Sequence, residues 1–142
     1  VARVSTYLNF PGNTEEALNF YRGLFGTEFV GPFARFKDMG VPGLSEDESN
    51  KIMHAEIEIS NGHVLMATDM LASQGHHCRV GNNTTIMVEL DSEAEVDRLY
   101  GALAQDSTEF QAPAPQPWGQ YWSTCLDRFG IRWMLASGDV TA

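Results

Sequence analysis

The sequence predicts an α+β fold made of two βαβββ modules. Three observations carry that expectation. Two strand-like runs lead directly into capped amphipathic helices, further strand-like runs follow each helix, and glycine- and proline-rich stretches punctuate them. The repeat lies in the order of elements, since the halves share no obvious sequence identity. The expected boundaries are 1–70 for the first module, 71–83 for a linker and 84–142 for the second module, all within one domain.

The first strand spans about Arg3–Phe10. Asn13 then stands at a helix N-cap with Glu16 at the third helical position, a capping-box arrangement. Ala17, Phe20, Tyr21, Leu24 and Phe25 recur at helical spacing, and Gly26 supplies the stop, so a helix is expected over Thr14–Phe25. Strands follow at about Glu28–Lys37, Ile52–Ile59 and His63–Thr68. Asn61-Gly62 between the last two is a strong hairpin signal. The second half opens with a strand at Thr84–Leu90, with Ile86, Val88 and Leu90 on one face. Ser92-Glu93-Ala94-Glu95 is a capping box, and Val96, Leu99, Tyr100 and Leu103 mark the buried face of a helix over Glu93–Gln105. Glu109–Ala112, Gln120–Leu126 and Ile131–Leu135 complete the set. Asp38–Lys51, Leu71–Asn83 and Ala112–Trp118 read as loops. The length of the first suggests function or mobility, and the prolines of the last exclude a central strand.

Composition narrows the function. With 142 residues and an apolar fraction of 43%, the chain can bury an ordinary globular core. A net charge of −10, with scattered basic residues, argues against nucleic acid, whose binding requires phosphates to be neutralised. Cys78 and Cys125 form no CxxC pair and read as reduced thiols of a cytoplasmic protein, with a single disulfide as the alternative. No signal-peptide pattern and no apolar run near ~18 residues is present, so no membrane association is expected. The chain opens on Val1, as after trimming of an initiator residue or a tag.

Several strings carry a resemblance. Tyr7-Leu8-Asn9-Phe10, Gly12-Asn13, Glu16-Ala17, Phe20-Tyr21 and Phe25-Gly26 resemble the opening of PhnB-like proteins. His54-Ala55 and Leu65-Met66-Ala67-Thr68-Asp69 resemble that family's third and fourth strands. Trp118-Gly119 and Asp127-Arg128-Phe129-Gly130-Ile131-Arg132-Trp133 resemble its closing segment. The order and spacing of these strings, over about residues 3–137, make the resemblance specific. It implies the glyoxalase/bleomycin-resistance/extradiol-dioxygenase (vicinal oxygen chelate) fold, with a ligand-holding cup formed by module pairs. Proteins that it resembles carry glyoxalase-like or demethylubiquinone methyltransferase-like labels. The chain shows no Gly-rich Rossmann-type strand-to-helix turn for a methyl-transfer cofactor.

Metal-dependent members of the superfamily take ligands from the first, fourth, fifth and eighth strands. The resemblance places Thr6, Met66 or Ala67, Thr85 and Met134 at those positions. Hydroxyls and thioethers do not replace imidazole and carboxylate for Mg, Mn, Fe or Zn, so no metal and no other cofactor is expected.

Other groups remain as candidates. His54 and Glu56 alternate on one strand face and read either as a general base with its carboxylate partner or as a solvated face. Asp69 ends a strand, as a turn cap or at the mouth of the cup. Trp118 follows the proline loop, where it can touch a ligand. Arg132 shares a face with Met134 and can meet a ligand anion, Glu89 or Asp127. His76-His77-Cys78 reads as surface loop, His63 as the start of a returning strand, and Trp133 as core.

The expected function is a metal-independent, homodimeric protein that binds a small organic ligand. Its expected ligand-binding residues are Thr6, His54, Asp69, Thr85, Met87, Trp118, Arg132 and Met134. The dimer is implied by the resemblance and by exposed strand edges. The alternative is a lyase, isomerase or oxygenase working through His54, Glu56 and Asp69, and a third reading is a structural or regulatory partner with a self-filled cup.

Overall fold

The computed structural model describes residues 2–141; Val1 and Ala142, the outer ends of the two expected modules, lie outside them. The chain divides into two compact units, Val1–Arg79 and Val80–Ala142. Each is a βαβββ module, as the sequence predicts.

In the first unit, β1 (Thr6–Phe10) leads into α1 (Thr14–Phe25), followed by β2 (Ala34–Arg35), a short α2 (Glu46–Ser49), β3 (Ile52–Ser60) and β4 (His63–Asp69). The sheet order is β1-β4-β3-β2, with β1 parallel to β4 and the other neighbours antiparallel. Leu8, Phe10, Ala55, Ile57, Leu65 and Ala67 share one sheet face and are buried together with Ala17, Leu18 and Tyr21 of α1. The Asn-Gly hairpin forms as expected, with both residues left-handed (Asn61 φ 51°, Gly62 φ 81°). Gly26 ends α1 in the left-handed region.

The second unit repeats the plan: β5 (Ile86–Leu90), α3 (Glu93–Leu103), β6 (Phe110–Pro115), β7 (Tyr121–Leu126) and β8 (Arg132–Ser137), in sheet order β5-β8-β7-β6. Val88, Val96, Leu99, Leu103, Trp133 and Leu135 are buried between sheet and helix.

Five local expectations are corrected. The strand expected over Glu28–Lys37 shrinks to Ala34–Arg35 plus an isolated bridge from Phe29 to Ile57. Gly31 turns left-handed at φ 76° and Pro32 has no N–H to give to a ladder, so pairing stops between the two contacts. A helical turn at Phe36–Met39 runs into the loop Asp38–Lys51, which holds a second at Glu46–Ser49 capped by Ser45. The run through Pro113 and Pro115 belongs to β6, which prolines permit because β6 is the sheet edge and its register shifts between Gln111 and Ala114. Asn13 makes no side-chain cap; the Thr14 N–H donates instead to Asp69, 2.9 Å away. At α3 half of the box forms: Ser92 accepts from the Glu95 N–H at 3.2 Å, while the Glu95 carboxylate pairs with Arg98.

Candidate functional site

Opposite its helix, the first unit's sheet presents a second face. Tyr7, Met66 and Glu56 lie in one row across β1, β4 and β3, and Asn9 pairs with Thr68 in the next. His54, two residues before Glu56, shares this face. Its side chain is held from both ends: Tyr7 Oη lies 3.0 Å from Nδ1 and Glu56 Oε1 lies 3.0 Å from Nε2. A carboxylate only accepts, so Nε2 donates to Glu56, and in the neutral imidazole Nδ1 accepts from the phenol. The three groups therefore form an oriented chain, phenol to imidazole to carboxylate. Tyr7 remains 47% exposed, so the chain is assembled at the surface and not as part of the core. Burial of its inner part raises the Tyr7 pKa, against the lowering effect of a hydrogen bond with Thr68 and with added push from Glu56. The phenol thus stays protonated and able to donate at neutral pH.

Tyr7 is the residue that the sequence reading missed. Thr6 shares a face with Leu8 and Phe10, on the helix side, and its hydroxyl sits 2.8 Å from His63 Nε2. It does not stand with His54. A strand alternates sides at every residue, so a register one step out exchanges the two faces. The buried positions Leu8 and Phe10 were the signal that could have placed Tyr7 outward.

Asp69 also stands apart from His54 and Glu56. It is 3% exposed, and its two carboxylate oxygens accept from the backbone N–H groups of Thr14 and Ile52 at 2.9 Å each. It staples the start of α1 to the start of β3, the turn-cap role among the two that the sequence allowed. Its charge also complements the positive end of α1.

The second unit's open face is neutral where the first unit's carries the chain. Met87, Met134 and Thr124 form the row that corresponds to Tyr7, Met66 and Glu56. Met87 is 43% exposed, and Thr85, one residue before β5, has the same strand parity. Arg132 is engaged: Nε donates to the Gly81 carbonyl at 2.6 Å and Nη2 to Glu109 at 2.9 Å, and neither Glu89 nor Asp127 is its partner. Trp118 lies in the β6–β7 turn, donates to Gln120 at 3.0 Å and meets Trp122 edge-on, with ring centroids 5.7 Å apart. Asp127 is buried and accepts from the N–H groups of Phe129 and Ile131 and from the indole of Trp133. Both cysteines are free, and burial together with the nearby Asp127 pushes the Cys125 thiol up to about 12.

Among the described residues no three His, Cys, Asp or Glu side chains come together as a set that could hold an ion. The open-face rows hold one carboxylate, Glu56, beside the Tyr7 phenol, the Thr124 hydroxyl and the thioethers of Met66, Met87 and Met134.

Known proteins agree with this architecture. The family model described as 3-demethylubiquinone-9 3-methyltransferase matches residues 2–136. The crystal structure of protein PA1353 from Pseudomonas aeruginosa is 29% identical, covers 96% of this chain and 98% of its own, and superposes with a TM-score of 0.82. A PhnB protein from Bacillus cereus, described as a putative 3-demethylubiquinone-9 3-methyltransferase, is 28% identical over 96% of this chain and 100% of its own, with a TM-score of 0.74. A glyoxalase/bleomycin resistance protein/dioxygenase family enzyme from Burkholderia phytofirmans is 16% identical, covers 93% and 96% of the two chains with a TM-score of 0.62, and is alike in fold. Two mixed sheets, each backed by one long helix, and a family match over nearly the whole chain lead to one statement: the chain belongs to the PhnB-like 3-demethylubiquinone-9 3-methyltransferase family and has the glyoxalase/bleomycin-resistance fold.

Proposed function

We propose that this chain is a metal-independent, homodimeric protein that binds a small organic ligand against its open sheet faces. The observation that carries the reading is the Tyr7–His54–Glu56 chain. A buried network would be explained by folding. This one reaches the surface at Tyr7, is oriented, and has the neutral groups Met66 and Thr68 beside it. Such a surface positions a ligand by hydrogen bonding without needing an ion. Thr85, Met87, Trp118 and Met134 give the second unit an adaptable, partly apolar surface for the same purpose. Thr6, Asp69 and Arg132 serve this reading only indirectly, since each is committed to a partner of its own.

The family's description names methyl transfer, which requires a site for a methyl donor. The strand-to-helix turns do not supply one. Asp69 occupies the Thr14 N–H, and Glu93 and Glu95 place negative charge at the start of α3. Binding therefore fits the residues better than methyl transfer.

Native mass spectrometry of freshly purified protein, kept in chelator, tests the reading. The expected result is twice the 15.7 kDa chain with an organic molecule retained, and loss of that molecule in His54→Ala without loss of the dimer. A monomer without ligand, or a stoichiometric metal that resists the chelator, would overturn it.

A second reading, a lyase, isomerase or oxygenase, draws on the same chain. His54 backed by Glu56 is a general base in form. Deuterium from solvent appearing in the retained molecule would favour that reading over simple binding.

A further inference from the structure

A cleft of about 440 Å³ opens in the first unit at the end of β1 and β4. Asn9 and Thr68 of the open sheet face line one side of it. Phe36 and Val41 line it from the segment after β2, and Met70 and Leu71 from the segment after β4. Its size suits a small organic molecule, for which ligand sites run to ~300–1,000 Å³.

The walls are built and not incidental. Glu48 of α2 accepts from the Ser73 hydroxyl at 2.5 Å and from the Ser73 N–H at 3.4 Å. Lys51 donates to the Gly12 carbonyl at 2.9 Å. These contacts tie the excursion between β2 and β3 to the chain after β4 and to the β1–α1 turn. Phe36, Val41 and Met70 are left half-buried, with apolar surface that the fold does not cover. Asp69 touches the cleft, but each of its oxygens accepts from a backbone N–H group, which commits the carboxylate to the fold. Apart from the imidazole of His76 at the rim, the remaining lining carries no ionisable group.

The cleft lies beside the hydrogen-bonded chain on the same sheet face. Asn9 and Thr68, which line the cleft, stand on the same sheet face as Tyr7, whose hydroxyl lies 3.0 Å from His54 Nδ1. With the phenol proton given to His54, the Tyr7 oxygen can still accept a hydrogen bond from an occupant that extends beyond Asn9 and Thr68.

We propose that the cleft takes a neutral molecule with a flat or branched apolar body and one hydroxyl or N–H group. The body lies between Val41, Phe36 and Met70, and the group donates to Tyr7 Oη. The proposal rests on the reading of Tyr7–His54–Glu56 as a ligand-orienting chain, and it adds the chemical class of the ligand and the second wall of its site.

The test uses the full chain with 2-naphthol as probe and 2-methoxynaphthalene, which has no donor, as control, both titrated by calorimetry in chelator. The expected result is saturable binding of 2-naphthol with one site per chain, and binding of the control at least about tenfold weaker, the factor for one lost hydrogen bond. Tyr7→Phe should bring the two compounds to within about twofold of each other. Val41→Trp, which fills the cleft, should weaken 2-naphthol at least about tenfold. Gln74→Trp narrows the mouth from an exposed position and should act in the same direction if Val41→Trp fails to fold. Absence of saturable binding overturns the proposal. Binding that survives both tryptophan variants but falls in His54→Ala overturns the cleft and leaves the chain's role standing. Binding that is lost in the tryptophan variants but indifferent to Tyr7→Phe and His54→Ala overturns the role of the chain itself.

Discussion

The two units share a plan and differ in what they put on it. In each, the strand before the long helix pairs in parallel with the last strand, and the central hairpin pairs antiparallel. In each, a buried aspartate gathers backbone donors. Asp69 holds together segments far apart in sequence, α1 and β3, whereas Asp127 closes a local turn around Phe129 and Ile131 and also takes the Trp133 indole. The open faces diverge more. Glu56 in one row corresponds to Thr124 in the other, and Tyr7 to Met87. The hydrophobic side is what a βαβββ module must conserve in order to fold. The other side is free to specialise, and here one unit carries polar chemistry while the other carries adaptable apolar surface.

The comparison of staples predicts the largest effects. Asp127→Ala leaves three donors unsatisfied and is expected to lower unfolding free energy by about 3–5 kcal/mol, with Asp69→Ala close behind at about 2–4 kcal/mol. Urea denaturation gives the size, and amide exchange should show each loss concentrated in its own unit. Costs below about 1 kcal/mol for both would remove the staples from the account. A smaller effect is expected at Gly119 in the β6–β7 turn, where φ is +102° and an added Cβ would come within 2.9 Å of the Asp139 carbonyl. Gly119→Ala should cost about 1–3 kcal/mol, whereas Gly26→Ala, at an equally left-handed but open position, should cost less.

A pH effect in the second unit is absent at neutral pH and appears only in alkali. The folded Cys125 thiol holds its proton up to about 12, whereas the unfolded one releases it near 9.0. A group with a raised folded pKa gives its full stabilisation below the unfolded value and loses it as pH rises. Stability should therefore fall from about 9 towards about 12, and Cys125→Ala should flatten that slope. Below that window, iodoacetamide should modify Cys78 and spare Cys125, which is 1% exposed. At the far end of the scale, His54→Ala should change stability by less than about 0.5 kcal/mol, since its ring stands on an open face. A larger loss would make the Tyr7–His54–Glu56 chain part of the scaffold and erase the difference between the two faces.

Most of the scaffold is legible in the residue order. The helix at Thr14–Phe25, the Asn61-Gly62 turn and the core position of Trp133 all follow from spacing and local conformational preference. Pairing of His54 with Glu56 on one face was legible for the same reason, because a period of two is local information. What the sequence conceals is long-range. Asn13 has the right chemistry and place for a cap, yet a carboxylate 55 residues downstream takes the helix N–H. Thr6 was placed by analogy to a metal-bearing strand, and the actual burial of Leu8 and Phe10 turned it to the other side. The cleft was invisible because Phe36, Val41 and Met70 come from separate segments that the Glu48–Ser73 contact brings together.

The prolines of β6 have a consequence beyond local geometry. An edge strand with free N–H groups is a template on which another chain can crystallise its own backbone, and repeated addition of that kind ends in fibres. Pro113 and Pro115 remove donors from β6, and the register shift between Gln111 and Ala114 spoils its straightness. Growth of the second unit's sheet is thereby closed on its β6 side. Exposed Phe110 and the neutral stretch after it can remain at the surface of a very acidic protein without inviting self-propagating association.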